Sequence, residues 1–170
     1  MRRPNKHEPR TRGLKLDLAR GTRAWVPARL RMNRWAAAAL GRQGTGREIA
    51  VRVVAPRESR ELNRRWRGKD QPTNVLSFPA TLSLSKERTR RGMATDTYVP
   101  LGDLVICADV VKREAARDGK PVASHWAHMV VHGALHLAGY DHETGTRERL
   151  RMERREIAVL KRFGIGNPYT

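Results

Sequence analysis

The chain of 170 residues carries 35 basic and 17 acidic side chains, a formal charge of +18, and 28 of the basic residues are arginine. Its length fits one domain with a buried core, and a hydrophobic content of 39% argues against wholesale disorder. One cysteine, Cys107, excludes an intrachain disulfide, and no apolar run is long enough to span a membrane. We therefore expect a cytoplasmic protein with no membrane partner that binds a polyanion, nucleic acid first.

Strands and helices alternate along the chain. Residues 1–13 are basic and aperiodic and predict a flexible arm. Apolar alternation predicts four strands, near residues 14–18, 49–53, 74–80 and 101–109. Pro79 marks the end of the third strand or a sheet edge. Helical patterns with glycine or proline at their ends predict five helices, over residues 27–41, 57–68, 108–118, 121–139 and 146–163. A polar, basic stretch over 81–100 has no convincing period and predicts a loop. One layered α/β or α+β domain with a four-stranded sheet follows.

The segment HGALHLAGYDH, residues 132–142, has the spacing of a metal site. His132 and His136 lie one turn apart on one helix face, so both imidazoles can reach the same ion. Gly139 allows the chain to leave the helix with positive φ, which brings His142 back over that point. Three neutral imidazoles with an open fourth position are typical of a catalytic zinc ion. We expect one Zn²⁺ ion held by these three histidines.

A peptidase is disfavoured by one position in this segment. The same spacing occurs in the zinc-peptidase motif H-E-x-x-H-x-x-G-x-x-H, where the glutamate activates the bound water. This chain has Gly133 there, which cannot accept a proton. A phosphodiester suits the site better, because its transition state carries negative charge that a cation offsets.

Other polar residues surround the predicted site. His125 and His128 lie further towards the start of the same helix and could line a cleft or contact substrate. Asp141 and Glu143 are candidates for orienting a ligand histidine from behind. The proton acceptor stays open between Asp141, His128 and a metal-bound hydroxide. The attacking group is either a 2′-hydroxyl or a metal-bound water.

Three blocks of the chain carry a family resemblance, namely ELNRRWRGKDQPTNVLSFP at 61–79, LGDLVIC at 101–107 and AHMVVHGALHLAGYDH at 127–142. They resemble the motifs of the YbeY family, bacterial zinc-dependent endoribonucleases involved in ribosomal RNA maturation. Their order and separation are similar to the family's, and the likeness extends over about residues 48–165. The resemblance implies a single α/β (α+β) metallohydrolase domain over 14–165, followed by a tail at 166–170. A small mixed four-stranded sheet would be flanked by about five helices, with the zinc site at the end of a helix.

The resemblance also implies roles for single residues. His132, His136 and His142 would be the zinc ligands, and Arg67 in the R-G-K-D turn would be catalytic. An arginine there can clamp a phosphate oxygen or stabilise developing charge. Asn74 stands where some relatives carry aspartate, so we assign it no acid–base role.

The function implied by the resemblance is cleavage of single-stranded RNA in 16S rRNA 3′-end processing and ribosome quality control. Implied partners are the 16S rRNA precursor, the small ribosomal subunit, ribosomal proteins and an assembly GTPase. A non-catalytic RNA-binding assembly factor with a structural zinc is the alternative, because no general base is evident. The basic loop over 82–99 and the arm depart from the family pattern. They either add sequence-independent RNA affinity or are solvated charge runs.

Overall fold

The elements of the fold follow the predicted order. The computed structural model describes residues 12–80 and 98–170. Its strands are β1 (Lys15–Arg20), β2 (Arg47–Val54), β3 (Val75–Pro79) and β4 (Val99–Cys107). Its helices are α1 (Arg29–Leu40), α2 (Pro56–Arg67), α3 (Ala108–Arg117), α4 (Val122–Leu137) and α5 (Thr146–Lys161), with a 3₁₀ turn at Gly41–Gly44. The element ends shift by a few residues only. For example, α1 begins at Arg29 rather than at Pro27.

The sheet is mixed and has the strand order β1-β2-β4-β3. β1 pairs with β2, and β2 with β4, in parallel, whereas β3 runs antiparallel to β4. β3 is therefore an edge strand, and it ends at Pro79 as predicted. A proline is tolerated there because an edge strand leaves one side of its backbone without a ladder partner. The expected fold class, a small mixed four-stranded sheet with five flanking helices, is confirmed.

One face of the sheet carries the main core. Along β4, Leu104 and Ile106 are fully buried, whereas Asp103 before them is exposed and Val105 between them is only partly buried. The same apolar cluster includes Met32 of α1 and Trp126 of α4, together with residues of α5. Alternation along the strand thus presents one apolar face, which α1 and α4 cover, while α5 packs against these two helices.

Helix α4 lies close against β3 and β4 because Gly133 has no side chain. A Cβ atom at this position would lie 2.8 Å from Cδ2 of Leu104 and 3.3 Å from Oγ of Ser77. Gly133 thus faces the sheet and is buried. The position that holds the catalytic glutamate in the peptidase motif has no room here for such a side chain, which agrees with the sequence argument that disfavours a peptidase.

Two predicted features fall largely outside the described residues. They are the arm at 1–13, of which residues 12 and 13 are described, and the basic loop at 82–99, of which 98 and 99 are described. The predicted tail at 166–170 is described, and its Pro168 carbonyl accepts a hydrogen bond from the Lys120 ammonium group. Within the described ranges, none of the helices combines the length and apolar character that crossing a membrane requires.

The tight approach at Gly133 leads to a stability prediction. We expect Gly133→Val to lower the free energy of unfolding by about 1–3 kcal/mol, because the added carbons overpack the contact with Leu104. Chemical denaturation monitored by circular dichroism measures this. Gly166→Val is the control, since a Cβ there meets nothing within 4 Å. Equal stability of Gly133→Val and wild type would contradict the packing account.

Candidate metal centre

The end of α4 brings the three predicted ligands together. His132 and His136 lie on the last turns of the helix, and Gly139 then takes a φ of +88°. The amide of Tyr140 donates to the Leu135 carbonyl across this turn, and the chain reverses. His142 consequently faces the other two. The ring centroids lie 4.7 Å apart for His132 and His136, 5.2 Å for His132 and His142, and 5.0 Å for His136 and His142.

The geometry of these histidines fits a metal ion. One ring nitrogen from each lies within 4.8 Å of the others. The Nε2 atoms of His132 and His136 are 3.2 Å apart, close to the separation of about 3.3 Å between two nitrogens bound tetrahedrally to zinc. Burial, and then the neighbouring His132 and His142, lower the pKa of His136 to about 4. His136 is therefore neutral near pH 7, which is the form that binds a metal.

A buried carboxylate lies behind the first ligand. Glu156 of α5 is fully buried, and its Oε1 lies 2.7 Å from Nδ1 of His132. Its Oε2 lies 3.2 Å from Nε2 of His128 and also accepts the hydroxyl hydrogen of Tyr169. Three donors from α4 and the chain end thus converge on one carboxylate.

The charge of Glu156 determines the tautomer of His132. Burial acts to raise the pKa of the Glu156 carboxyl, but hydrogen bonds from His128 and His132 outweigh it and lower the pKa to about 2. An ionised carboxylate only accepts, so Nδ1 of His132 must carry the hydrogen. The lone pair of His132 then lies on Nε2, the atom that faces His136. Burial, and then the hydrogen bond to Glu156, raise the pKa of Tyr169, which therefore keeps its proton.

The prediction that Asp141 or Glu143 orients a ligand histidine needs correction. Oδ1 of Asp141 accepts a hydrogen bond from the backbone amide of Glu143 at 2.8 Å. The Glu143 carboxylate pairs with the guanidinium of Arg67. Glu156 is the carboxylate that contacts a predicted ligand. The spacing of the motif suggested its nearest acidic neighbours, whereas the packing of α5 on α4 supplies a more distant one.

The predicted ligands and Arg67 line the same cleft, which has a volume of about 770 Å³. Its walls are the end of α2 with the R-G-K-D turn, strand β3, the end of α4 and the turn at 139–143. The lining contains both signs of charge, namely Arg67, Lys69, Glu114, Asp141 and Glu143. The lining of the cleft is therefore mixed in charge, in contrast to the strongly basic composition of the chain.

His125 and His128, which precede the predicted ligands on α4, form hydrogen bonds of their own with buried or partly buried carboxylates. Nε2 of His125 lies 2.7 Å from Oε2 of Glu114, which also accepts hydrogen bonds from the Asn74 amide. Burial acts to raise the pKa of Glu114, but the bonds from His125 and Asn74 outweigh it and lower the pKa. His125 and His128 line a separate pocket of about 220 Å³. Asn74 does line the main cleft, where it positions Glu114.

His128 and Glu156 also form, with His132, a second group of atoms close enough to share an ion. Each contact in that group is satisfied by a hydrogen bond to the buried carboxylate. We interpret the group of His128, His132 and Glu156 as hydrogen-bonded support for the three predicted ligands, because both groups contain His132.

The fold and the site define a class of protein: a single mixed α/β domain whose three clustered histidines could hold a metal ion and open, beside an arginine, into a wide cleft. The model of the family described as Endoribonuclease YbeY matches residues 23–164. The protein of that name from Halorhodospira halophila is 49% identical over 146 residues, which cover 86% of this chain and 90% of the relative. The one from Methylococcus capsulatus is 49% identical over 154 residues, 91% of this chain and 94% of the relative.

The solution structure of TM1509 from Thermotoga maritima shares the fold, with a TM-score of 0.53 and 24% identity over 86% of this chain and 87% of that one. The chain therefore belongs to the Endoribonuclease YbeY family. The resemblance noted in the sequence is confirmed, and with it the prediction of a hydrolase that acts on RNA.

Glu156 is the site residue that sequence reasoning missed. The buried residues of α5 are Met152, Glu156, Val159 and Leu160, so the glutamate occupies a position in the apolar stripe of an amphipathic helix. A charged residue in that position is seldom buried without a partner. A glutamate within the apolar stripe of this helix is the sequence signal that could have identified Glu156 as a site residue.

The bond between Glu156 and His132 leads to a metal-binding prediction. We expect Glu156→Gln to weaken zinc affinity by about 10- to 100-fold, the usual effect of removing a partner of a metal-binding histidine. Competition with a chromophoric chelator measures the dissociation constant. Glu153→Gln is the control, because Glu153 lies on the same helix and pairs with Arg149. An unchanged dissociation constant in Glu156→Gln would show that the carboxylate does not tune the site.

Proposed function

We propose that this protein is a zinc-dependent endoribonuclease that cleaves single-stranded RNA in 16S rRNA 3′-end maturation and ribosome quality control. Membership of the Endoribonuclease YbeY family supports RNA as the substrate. The observation that carries the proposal is the single cleft lined by His132, His136, His142 and Arg67. It combines a site for a cation with a guanidinium group suited to phosphate.

The three histidines are the proposed zinc ligands. Their neutral imidazoles leave a fourth position open, whereas structural zinc normally has four protein ligands. A bound zinc ion would lower the pKa of a water molecule and offset the negative charge of a phosphate. Glu156 holds His132 in the tautomer that presents Nε2 to the cleft.

Arg67 is the proposed phosphate ligand. It lies at the end of α2, and its side chain is 45% exposed while it pairs with Glu143. An exposed ion pair of this kind contributes only about 0–1 kcal/mol. A phosphate oxygen can therefore replace the Glu143 carboxylate on the guanidinium at little cost.

Among the side chains proposed as proton acceptor, the structure favours Asp141 over His128. Asp141 lines the cleft with the three histidines. His128 instead bonds to Glu156 and lines the separate pocket. Glu143 also lines the cleft but is engaged with Arg67.

The charge of +18 supports a polyanionic partner. We propose the 16S rRNA precursor as that partner, with the small ribosomal subunit, its ribosomal proteins and an assembly GTPase as further contacts in the cytoplasm. The cleft lining is mixed in charge, so the non-specific attraction for RNA comes from the excess of basic residues over the rest of the chain.

Cleavage of an rRNA fragment that carries its unprocessed 3′ extension tests the proposal. We expect wild type to cut it, His136→Ala to lose both zinc and activity, and Arg67→Ala to lose about 10²–10³-fold in rate, as for removal of one charge-stabilising donor. RNA ends are mapped by sequencing. Arg57→Ala is the matched control, because Arg57 lies on the same helix and its side chain is 93% exposed.

Two other outcomes would overturn the proposal. Equal cutting by all variants would identify a contaminating nuclease. The zinc-loaded wild type could also bind RNA tightly and not cut it, even when the small subunit is added. That result would indicate the non-catalytic assembly factor with a structural zinc.

A further inference from the structure

Trp66 is an exposed aromatic ring at the mouth of the catalytic cleft. It is 58% exposed, although a tryptophan that contributes only to folding is normally mostly buried. It lies on the last turn of α2, immediately before Arg67. It lines the same cleft as His132 and His136. A large apolar surface thus lies in water beside the proposed phosphate site.

The ring is held in place by two neighbours. Phe78 of β3 contacts it in an edge-to-face arrangement, with centroids 5.7 Å apart and planes at 71°. The guanidinium of Arg65 lies 5.3 Å from the indole centroid. Arg65 is outside the lining of the cleft whereas Trp66 is part of it, so Arg65 covers the ring from the outer side. The indole is oriented before any ligand binds, and its cleft side stays accessible.

We propose that Trp66 is a stacking platform for one base of single-stranded RNA, next to the phosphate that Arg67 binds. This inference rests on the proposed endoribonuclease function and names a substrate-binding subsite for it. Unpaired bases expose their π faces and stack on aromatic side chains, whereas paired bases are already stacked within a helix. A fixed indole beside a guanidinium matches one base and one phosphate of the same strand. The subsite would therefore favour single strands over duplexes.

The surroundings of Trp66 favour a nucleic acid over an apolar protein segment. Helix α2 carries five arginines, namely Arg57, Arg60, Arg64, Arg65 and Arg67. Glu58 and Glu61 are its acidic residues, so its net charge is positive. An aromatic ring within a basic surface is the combination that binds single strands, with phosphates on the cations and a base on the ring.

Abasic substitution of the RNA tests the subsite. The probe is a short fluorescent oligonucleotide with 2′-O-methyl riboses, so that attack by a 2′-hydroxyl is blocked. A gel after each titration checks that the strand is intact and has not been cut by a water molecule. One abasic residue is moved along the strand, and anisotropy gives the affinity of the zinc-loaded protein. We expect one position whose abasic form binds wild type about 5- to 100-fold more weakly.

The decisive measurement repeats this series with Trp66→Leu. The affinity penalty at that one position should vanish, because the ring on which the base stacks has already been removed and the two losses do not add. The penalties at other positions should persist. Trp66→Phe should keep part of the penalty. Trp25→Leu is the matched control, since Trp25 is 55% exposed and does not line the cleft. Circular dichroism and thermal midpoints check that each variant folds.

Salt dependence separates stacking from charge. Trp66→Leu should leave the slope of log affinity against log salt unchanged, whereas Arg67→Ala should reduce its magnitude by about 0.7, one phosphate contact on a single strand.

If every abasic penalty persists in Trp66→Leu, the proposed stacking subsite is wrong even if the protein cuts RNA. If the penalty vanishes but wild type cuts no RNA, the stacking subsite stands and the nuclease proposal fails.

Discussion

The burial of one charge, that of Glu156, determines how the site is assembled. A carboxylate removed from water is strongly destabilising unless its oxygens are hydrogen-bonded. Here the donors come from His128 and His132 of α4 and from Tyr169 near the chain end. Satisfying this one group therefore fixes α5 against α4 and brings the last residues of the chain back to both. The same bond orients His132, so the requirement that folding imposes also orients a proposed metal ligand.

The close approach of α4 to the sheet has a similar double role. Gly133 allows the helix to lie against Leu104 and Ser77, and its neighbour His132, about 100° further round the helix, lines the cleft. Because β3 is the edge strand beside α4, the residues of β3 and the end of α2 form the facing wall. The cleft exists because helix, edge strand and R-G-K-D turn end at the same side of the sheet.

The sequence was informative where local patterns decide the structure. The strands and helices follow from apolar periodicity, and the three histidines from a helix period with a glycine exit at Gly139. The pairs Arg67–Glu143 and His132–Glu156 join residues 76 and 24 positions apart, and no local pattern encodes such separations. The nearby Asp141 and Glu143 were consequently preferred to Glu156. Arg67 was identified only by resemblance, because nothing local distinguishes it among 28 arginines.

The mixed charge of the cleft lining has a physical rationale. A lining with cations alone would hold every segment of a polyanion equally well, whereas Glu114, Asp141 and Glu143 repel phosphates from most of the wall. Glu114 is kept in place by His125 and Asn74, so its charge is fixed. Glu143 is more than half exposed and is the carboxylate that a phosphate can displace. If the proposed function holds, attraction within the cleft is thereby concentrated on the histidine centre, Arg67 and Lys69, and arginines outside the cleft would add affinity without specifying the path of the strand.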